Sequence, residues 1–315
     1  VAKFTGGRDN PGDFSAELFV VDQTIDTRAF FVRGDLDDAQ VRIQNPVGRI
    51  SVRGDVRDSD LLFGATRNLR LNSVTDSNIE ALGADGVRDF RAHEVLGGSI
   101  SGAFERINIT GDRRSGHLTA DLNLNRPDRV FINGDFEGTM TLVSAGTVFI
   151  RGDVRPQSAI NARPINFGGI GLRSLFVEGA YRDSTFRTNT SMDTVDVGSA
   201  VDSRFNFGVN SSPDRFGNAN QYNPFFFVNS ITIGRTGQPD GFVNSYINAG
   251  AIRDAVIFEP RIDNNGFAFG VAANQIDLVA VVVDNQVLNN VTPQEPTAVA
   301  DDFQVRLFFQ PPPSG

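Results

Sequence analysis

The chain has no cysteine and no tryptophan, and only two methionines, two histidines and three tyrosines in 315 residues. It has one lysine, Lys3, so nearly all of its 29 basic residues are arginine. Each shortage removes a class of chemistry. Without cysteine there is no disulfide, no thiolate nucleophile and no cysteine-based metal site. Without lysine beyond residue 3 there is no lysine Schiff base and no Lys–Asn isopeptide staple further along the chain. The missing cysteines do not decide the compartment, because a large core dispenses with staples even outside the cell. A basic excess is absent too. The net charge of −9 argues against a general nucleic-acid binder, which presents a basic face. No run of about 18 apolar residues occurs, so no membrane-spanning helix and no membrane insertion are expected. There is no nucleophile elbow, P-loop or dinucleotide fingerprint. Val1 in first place suits a chain left after signal-peptide removal, or a trimmed one.

What the chain does have is a hydrophobic content of 40%, 27 phenylalanines and a repeat. Phe31-Val32-Arg33-Gly34-Asp35-Leu36 returns as Ser51-Val52-Arg53-Gly54-Asp55-Val56. Gly111-Asp112, Gly134-Asp135 and Gly152-Asp153 each follow a short apolar run in the same way. Taking the residue after the Gly-Asp pair as reference, the rungs fall at Leu36, Val56, Val74, Val95, Arg113, Phe136, Val154, Tyr181 and Ala200. Their spacing of roughly twenty residues is that of one solenoid coil. Within each period apolar and polar residues alternate, as in Ile107-Asn108-Ile109 and Val195-Asp196-Val197. Alternation marks strands with one buried face. Helical periodicity is missing throughout.

These features predict an all-β fold: a single-stranded parallel β-helix, or β-solenoid, with irregular capping segments. Residues 1–27 read as an N-terminal cap or arm, and 28–200 as regular coils. Residues 201–275 read as looser coils with loop insertions, and 276–315 as C-terminal strands and a Pro-rich tail. The longer step into Tyr181 predicts a loop insertion around Pro164–Gly169, and polar loops are expected after Asn210 and Gln238.

Repeats of the form strand-Gly-Asp-Val-x-x-Ser-x-Ile are followed by Phe207-Gly208-Val209-Asn210 and by Phe269-Gly270-Val271-Ala272. Over roughly residues 30–285 this resembles the repeat arrays of large bacterial secreted or surface proteins of the planctomycete type. The resemblance implies a right-handed β-helix at a cell surface or in a matrix, and implies no activity. More distantly, the solenoid is shared with pectate-lyase-type enzymes, tailspikes and adhesins.

Arg-Gly-Asp occurs at residues 33–35, 53–55 and 151–153 and invites comparison with integrin-type adhesion motifs. Asn133 and Thr110 replace the arginine at equivalent corners. The repeated unit is therefore Gly-Asp. Gly34, Gly54, Gly111, Gly134 and Gly152 are expected to supply a permissive backbone at a coil corner. Asp35, Asp55, Asp112, Asp135 and Asp153 are expected to close Asx-type turns there. Arg33, Arg53 and Arg151, two residues before their Asp, would offset the stacked carboxylates. Those five aspartates are also weak candidates for structural calcium, because stacked carboxylates repel and a hard cation relieves the repulsion. No other cofactor is expected. His93 and His117 fall in adjacent rungs, and a histidine pair alone is not a metal site.

Phe225, Phe226 and Phe227 cannot all hide on one face of a strand, and Phe308 and Phe309 pose the same problem. These five are candidate interface residues. No catalytic residues are singled out, because many acids on a solenoid form pairs by chance. The expected function is a non-catalytic, extracellular structural protein at the cell surface. It would assemble with itself or with other surface proteins through its ends and terminal segments. The alternatives are a polysaccharide lyase or hydrolase on the same scaffold, and a glycan- or cell-binding adhesin.

Overall fold

The computed structural model describes residues 3–4, 17–20, 27–112, 116–164, 171–208, 215–216, 221, 223–261, 263–284, 286–291, 297–300 and 302–307. These residues are all-β and contain no α-helix, and their parallel strands stack as a β-solenoid of about 11 turns. They group into two compact units, Val1–Gly152 and Asp153–Gly315. The break falls inside the third Arg-Gly-Asp corner. No break occurs near residue 200, because strand pairing continues there in register. Thr185–Thr188 lies on Arg204–Phe207, which lies on Tyr246–Ala249.

The first unit repeats one three-sided coil. A longer strand such as Val47–Val52 leads into the Gly-Asp corner. A two-residue strand, Val56–Arg57, follows, and then a third side, Asp60–Phe63. Each side pairs in parallel with its equivalents one coil away. Inward positions therefore stack like on like. One ladder runs Phe30, Ile50, Leu69, Phe90, Ile107, Val130, Val148. Another runs Val41, Leu61, Ile79, Ile100, Leu122, Met140. All thirteen are buried. Burying a side chain of this size stabilises by about 1.5–3 kcal/mol, so the ladders are the main source of cohesion.

The corner ladder is Leu36, Val56, Val74, Val95, Leu118, Phe136. This corrects the expected register at one rung. Leu118 occupies the buried corner slot that the repeat spacing assigns to Arg113, which lies outside the described residues. The chain makes an excursion after Gly111-Asp112 and closes it with the Gly116 N–H donating to the Asp112 carbonyl at 2.6 Å. A fully buried slot takes leucine, and an insertion at a corner leaves the stacked sides intact.

The second unit follows the same plan with larger side chains. Its corner ladder is Val154, Tyr181, Ala200, Phe242, Pro260. The side after the corner stacks Ile160, Phe186, Phe205, Ile247, Val271, Val305. The insertion expected around Pro164–Gly169 falls largely on residues 165–170, outside the described residues, as does most of the loop after Asn210.

The C-terminal end differs from the expected boundary at 276. Phe269–Val283 is one strand, parallel to Tyr246–Phe258 as far as Val282. The cap begins after it. Gln286–Val291 turns back antiparallel on that strand. Phe303–Leu307 adds in parallel, and Thr297–Ala300 pairs antiparallel on it.

Candidate functional site

Three places carry polar side chains in a defined arrangement: the Gly-Asp corner, a second corner after it, and a cleft on the second unit.

At the Gly-Asp corner the carboxylate bonds to the next coil. Asp35 Oδ1 accepts the Asp55 N–H at 2.7 Å, and Asp153 Oδ1 accepts the Ala180 N–H at 2.8 Å. His117 stands in for the aspartate one coil before Asp135, and its Nδ1 accepts the Asp135 N–H at 3.1 Å. Asp112 is exposed at the mouth of the insertion, its corner place taken by His117. The glycines are required for a reason the sequence does not show. Gly34, Gly54, Gly111, Gly134 and Gly152 are absent from the residues with positive φ. A Cβ on Gly54 would stand 2.5 Å from the Gly34 carbonyl oxygen, and one on Gly152 would stand 2.6 Å from that of Gly134. Close approach of coil to coil, not backbone freedom, selects glycine here.

The expected charge compensation is also revised. Arg57, two residues after Asp55, pairs with Asp35 at 3.1 Å and with Asp55 at 2.5 Å. Its hydrogen bond to Asp35 holds the guanidinium above its ordinary proton affinity. Arg182 lies 3.7 Å from Asp153. Arg151 donates to Asn133 Oδ1 at 3.0 Å and lies over the Phe131 ring. An arginine after the corner points back along the stack, which places it between successive carboxylates. The Arg-Gly-Asp tripeptides thus keep an exposed arginine beside an aspartate engaged in coil stacking. His93 is exposed, and its backbone N–H donates to the Asn72 carbonyl. Among the described residues no group of three or more His, Cys, Asp or Glu is arranged to hold a metal ion.

The second corner is where positive φ is needed. Asp38, Asp58, Asp76, Asp183, Asp202 and Asn244 all stand there with φ between 39° and 51°. Asp and Asn tolerate this region better than other side chains. A buried serine often follows. The Ser59 hydroxyl accepts the Ala39 N–H at 3.1 Å and donates to the Arg57 carbonyl at 2.6 Å. Ser77 does the same for Ser59, and Ser245 for Ser203.

The cleft of the second unit encloses about 720 Å³. Its floor is built from second-corner residues of successive coils. Asn244 Nδ2 donates to Asp202 Oδ1 at 2.6 Å, and Asn264 Nδ2 donates to Asn244 Oδ1 at 3.0 Å. Arg204 and Tyr246 come from the strands that follow, paired in register. Arg215 and Phe267 form the rim, the guanidinium 5.3 Å from the ring centroid. Phe216 meets the Tyr246 ring edge-on at 5.3 Å and carries Arg306 at 4.1 Å on its face. Burial pushes the Tyr246 phenol up, while Arg215, Arg204 and Arg306 pull it down. The sequence reading missed this cleft. The available signal was the corner triplet Asp202-Ser203-Arg204 and Asn244-Ser245-Tyr246, whose third residues pair in register one coil apart.

The candidate interface phenylalanines do not act as one strand. Phe225 sits in a turn and is 84% exposed. Phe226 packs against Gly208, and Phe227 opens the next strand under Arg253, 4.3 Å from its centroid. Phe308 and Phe309 lie outside the described residues.

The fold and its corner ladders define the class: a parallel β-solenoid repeat protein. No protein family, curated protein or solved structure matches the chain.

Proposed function

We propose that the chain is a non-catalytic structural protein of an extracellular surface layer, fibre or matrix. Its solenoid coils are the structural element, and it assembles through its ends and terminal segments. The observation that carries this reading is the contrast between the two ends. Among the described residues Glu17–Val20 pairs along one edge, with Gln40–Ile43, and Lys3–Phe4 lies on Phe31–Val32; an edge strand of this kind is where a further strand can add. Phe19 on that strand is 52% exposed. At the other end, antiparallel strands cover the parallel stack. Assembly then proceeds through the N-terminal edge. The corner aspartates fit the same reading, since bonds to neighbouring coils occupy groups that would otherwise be candidate acids.

Sedimentation velocity and electron microscopy over a concentration series, with and without calcium, test this. Association is expected, and Phe19→Pro, which removes an edge donor, is expected to weaken it. A chain that stays monomeric at high concentration in both conditions overturns the proposal.

A further inference from the structure

The cleft of the second unit combines two chemistries that rarely suit one ligand. Its volume of about 720 Å³ lies within the roughly 300–1,000 Å³ of small-molecule sites. One part is cationic. Arg204 lines it, and Arg215 lies over the Phe267 ring. The planar fork of N–H donors matches a carboxylate bidentately. The other part is acidic and amidic. Asp183 and Asp202 lie beside Asn244 and Asn264, whose side chains are fixed by the hydrogen bonds that link them.

A simple anion suits the arginines and is repelled by the two aspartates. A neutral sugar suits the aspartates and amides and makes no use of Arg215. An ammonium-bearing carboxylate suits both charges but makes poor use of the amides, which both donate and accept. Hydroxyl groups also donate and accept, so they match the amides and donate to the aspartates. A ligand with a carboxylate at one end and hydroxyls at the other suits both parts of the cleft. We propose that this cleft binds an acidic saccharide, a sugar ring carrying a carboxylate of the uronic-acid type. The site is formed within one unit and does not depend on assembly through the solenoid ends.

The test is calorimetric titration of the full chain with three probes: an α-1,4-linked galacturonic acid trimer, a β-linked glucuronic-acid oligosaccharide and the methyl ester of the first. Saturable binding of at least one acid form is expected, weakened about tenfold by esterification, because the bidentate arginine contact is lost. Arg215→Ala is expected to weaken binding to a similar degree. Arg215→Lys keeps the charge without the fork and is expected to fall between the two. Asp202→Ala weakens binding severalfold, and Arg33→Ala, in the first unit, leaves it unchanged. Circular dichroism and thermal unfolding of each variant separate lost binding from lost folding. Equal binding of acid and ester overturns the proposal. So does affinity retained in Arg215→Ala, tighter binding of free amino acids than of uronates, or no binding of either acid oligosaccharide.

Discussion

Asp35 and Asp55, one coil apart, are joined twice: the carboxylate of Asp35 accepts the backbone N–H of Asp55, and Arg57 bridges the two carboxylates. The ladder therefore needs an acceptor more than it needs a charge. Asp35→Asn keeps an acceptor oxygen and is expected to cost little, since exposed ion pairs contribute little to stability. Asp35→Ala strands the Asp55 N–H and is expected to cost about 1–3 kcal/mol. Denaturant midpoints for the pair, with hydrogen exchange at the Asp55 amide, check the order. Equal loss in both variants contradicts the acceptor argument.

Gly54→Ala forces a methyl group against the Gly34 carbonyl of the neighbouring coil. The methyl group also meets the Asp35 carboxylate, and the backbone part of the obstacle cannot give way, so the coils must separate locally and the variant is expected to unfold at lower denaturant. Gly237→Ala is the comparison. At φ 73° with open space around it, Gly237 should lose only the left-handed backbone cost of about 1–2 kcal/mol. Paired urea titrations measure both.

The Tyr181 hydroxyl is fully buried and has no hydrogen-bond partner among the described residues, and burial drives its proton affinity far above the ordinary phenol range. The ring itself packs on Phe205 with centroids 4.9 Å apart. Tyr181→Phe removes the unsatisfied group and keeps the packing, so it is expected to be neutral or to stabilise by about 1 kcal/mol. Tyr181→Ala should cost about 3–5 kcal/mol through the cavity. A marked destabilisation by Tyr181→Phe would show that the hydroxyl has a partner, such as a buried water.

Arg261 donates two hydrogen bonds to Asp240, at 2.9 and 2.7 Å, and these hold the Asp240 carboxyl below its ordinary range. The folded value is depressed, so the contribution is present above the ordinary aspartate pKa and is lost as pH falls through the depressed one. Both groups are solvent-exposed, which keeps the effect on global stability small. Carbon-detected NMR titration of Asp240 should give a midpoint below that of an ordinary aspartate. Arg261→Ala should return it to the ordinary range.

Much of the solenoid is legible in the sequence. The roughly twenty-residue period and the two-residue alternation encode stacked strands, because an inward slot that repeats along a stack selects the same kind of residue each time. The exception at Leu118 arises where an insertion displaces the spacing, and spacing was the only guide. The arrangement of Phe225–Phe227 is hidden for a related reason. Alternation presumes a strand, and the strand begins only at Phe227.

The sequence by itself determined the architecture and its corners, because local alternation and Gly-Asp spacing depend on neighbours within one coil. Tertiary structure alone decided why the corner is glycine, which arginine meets each aspartate, and which side chains line the cleft. All three are relations between coils. Asn244 reaches Asp202 across 42 positions of sequence and one step of the stack, a distance that only folding makes short.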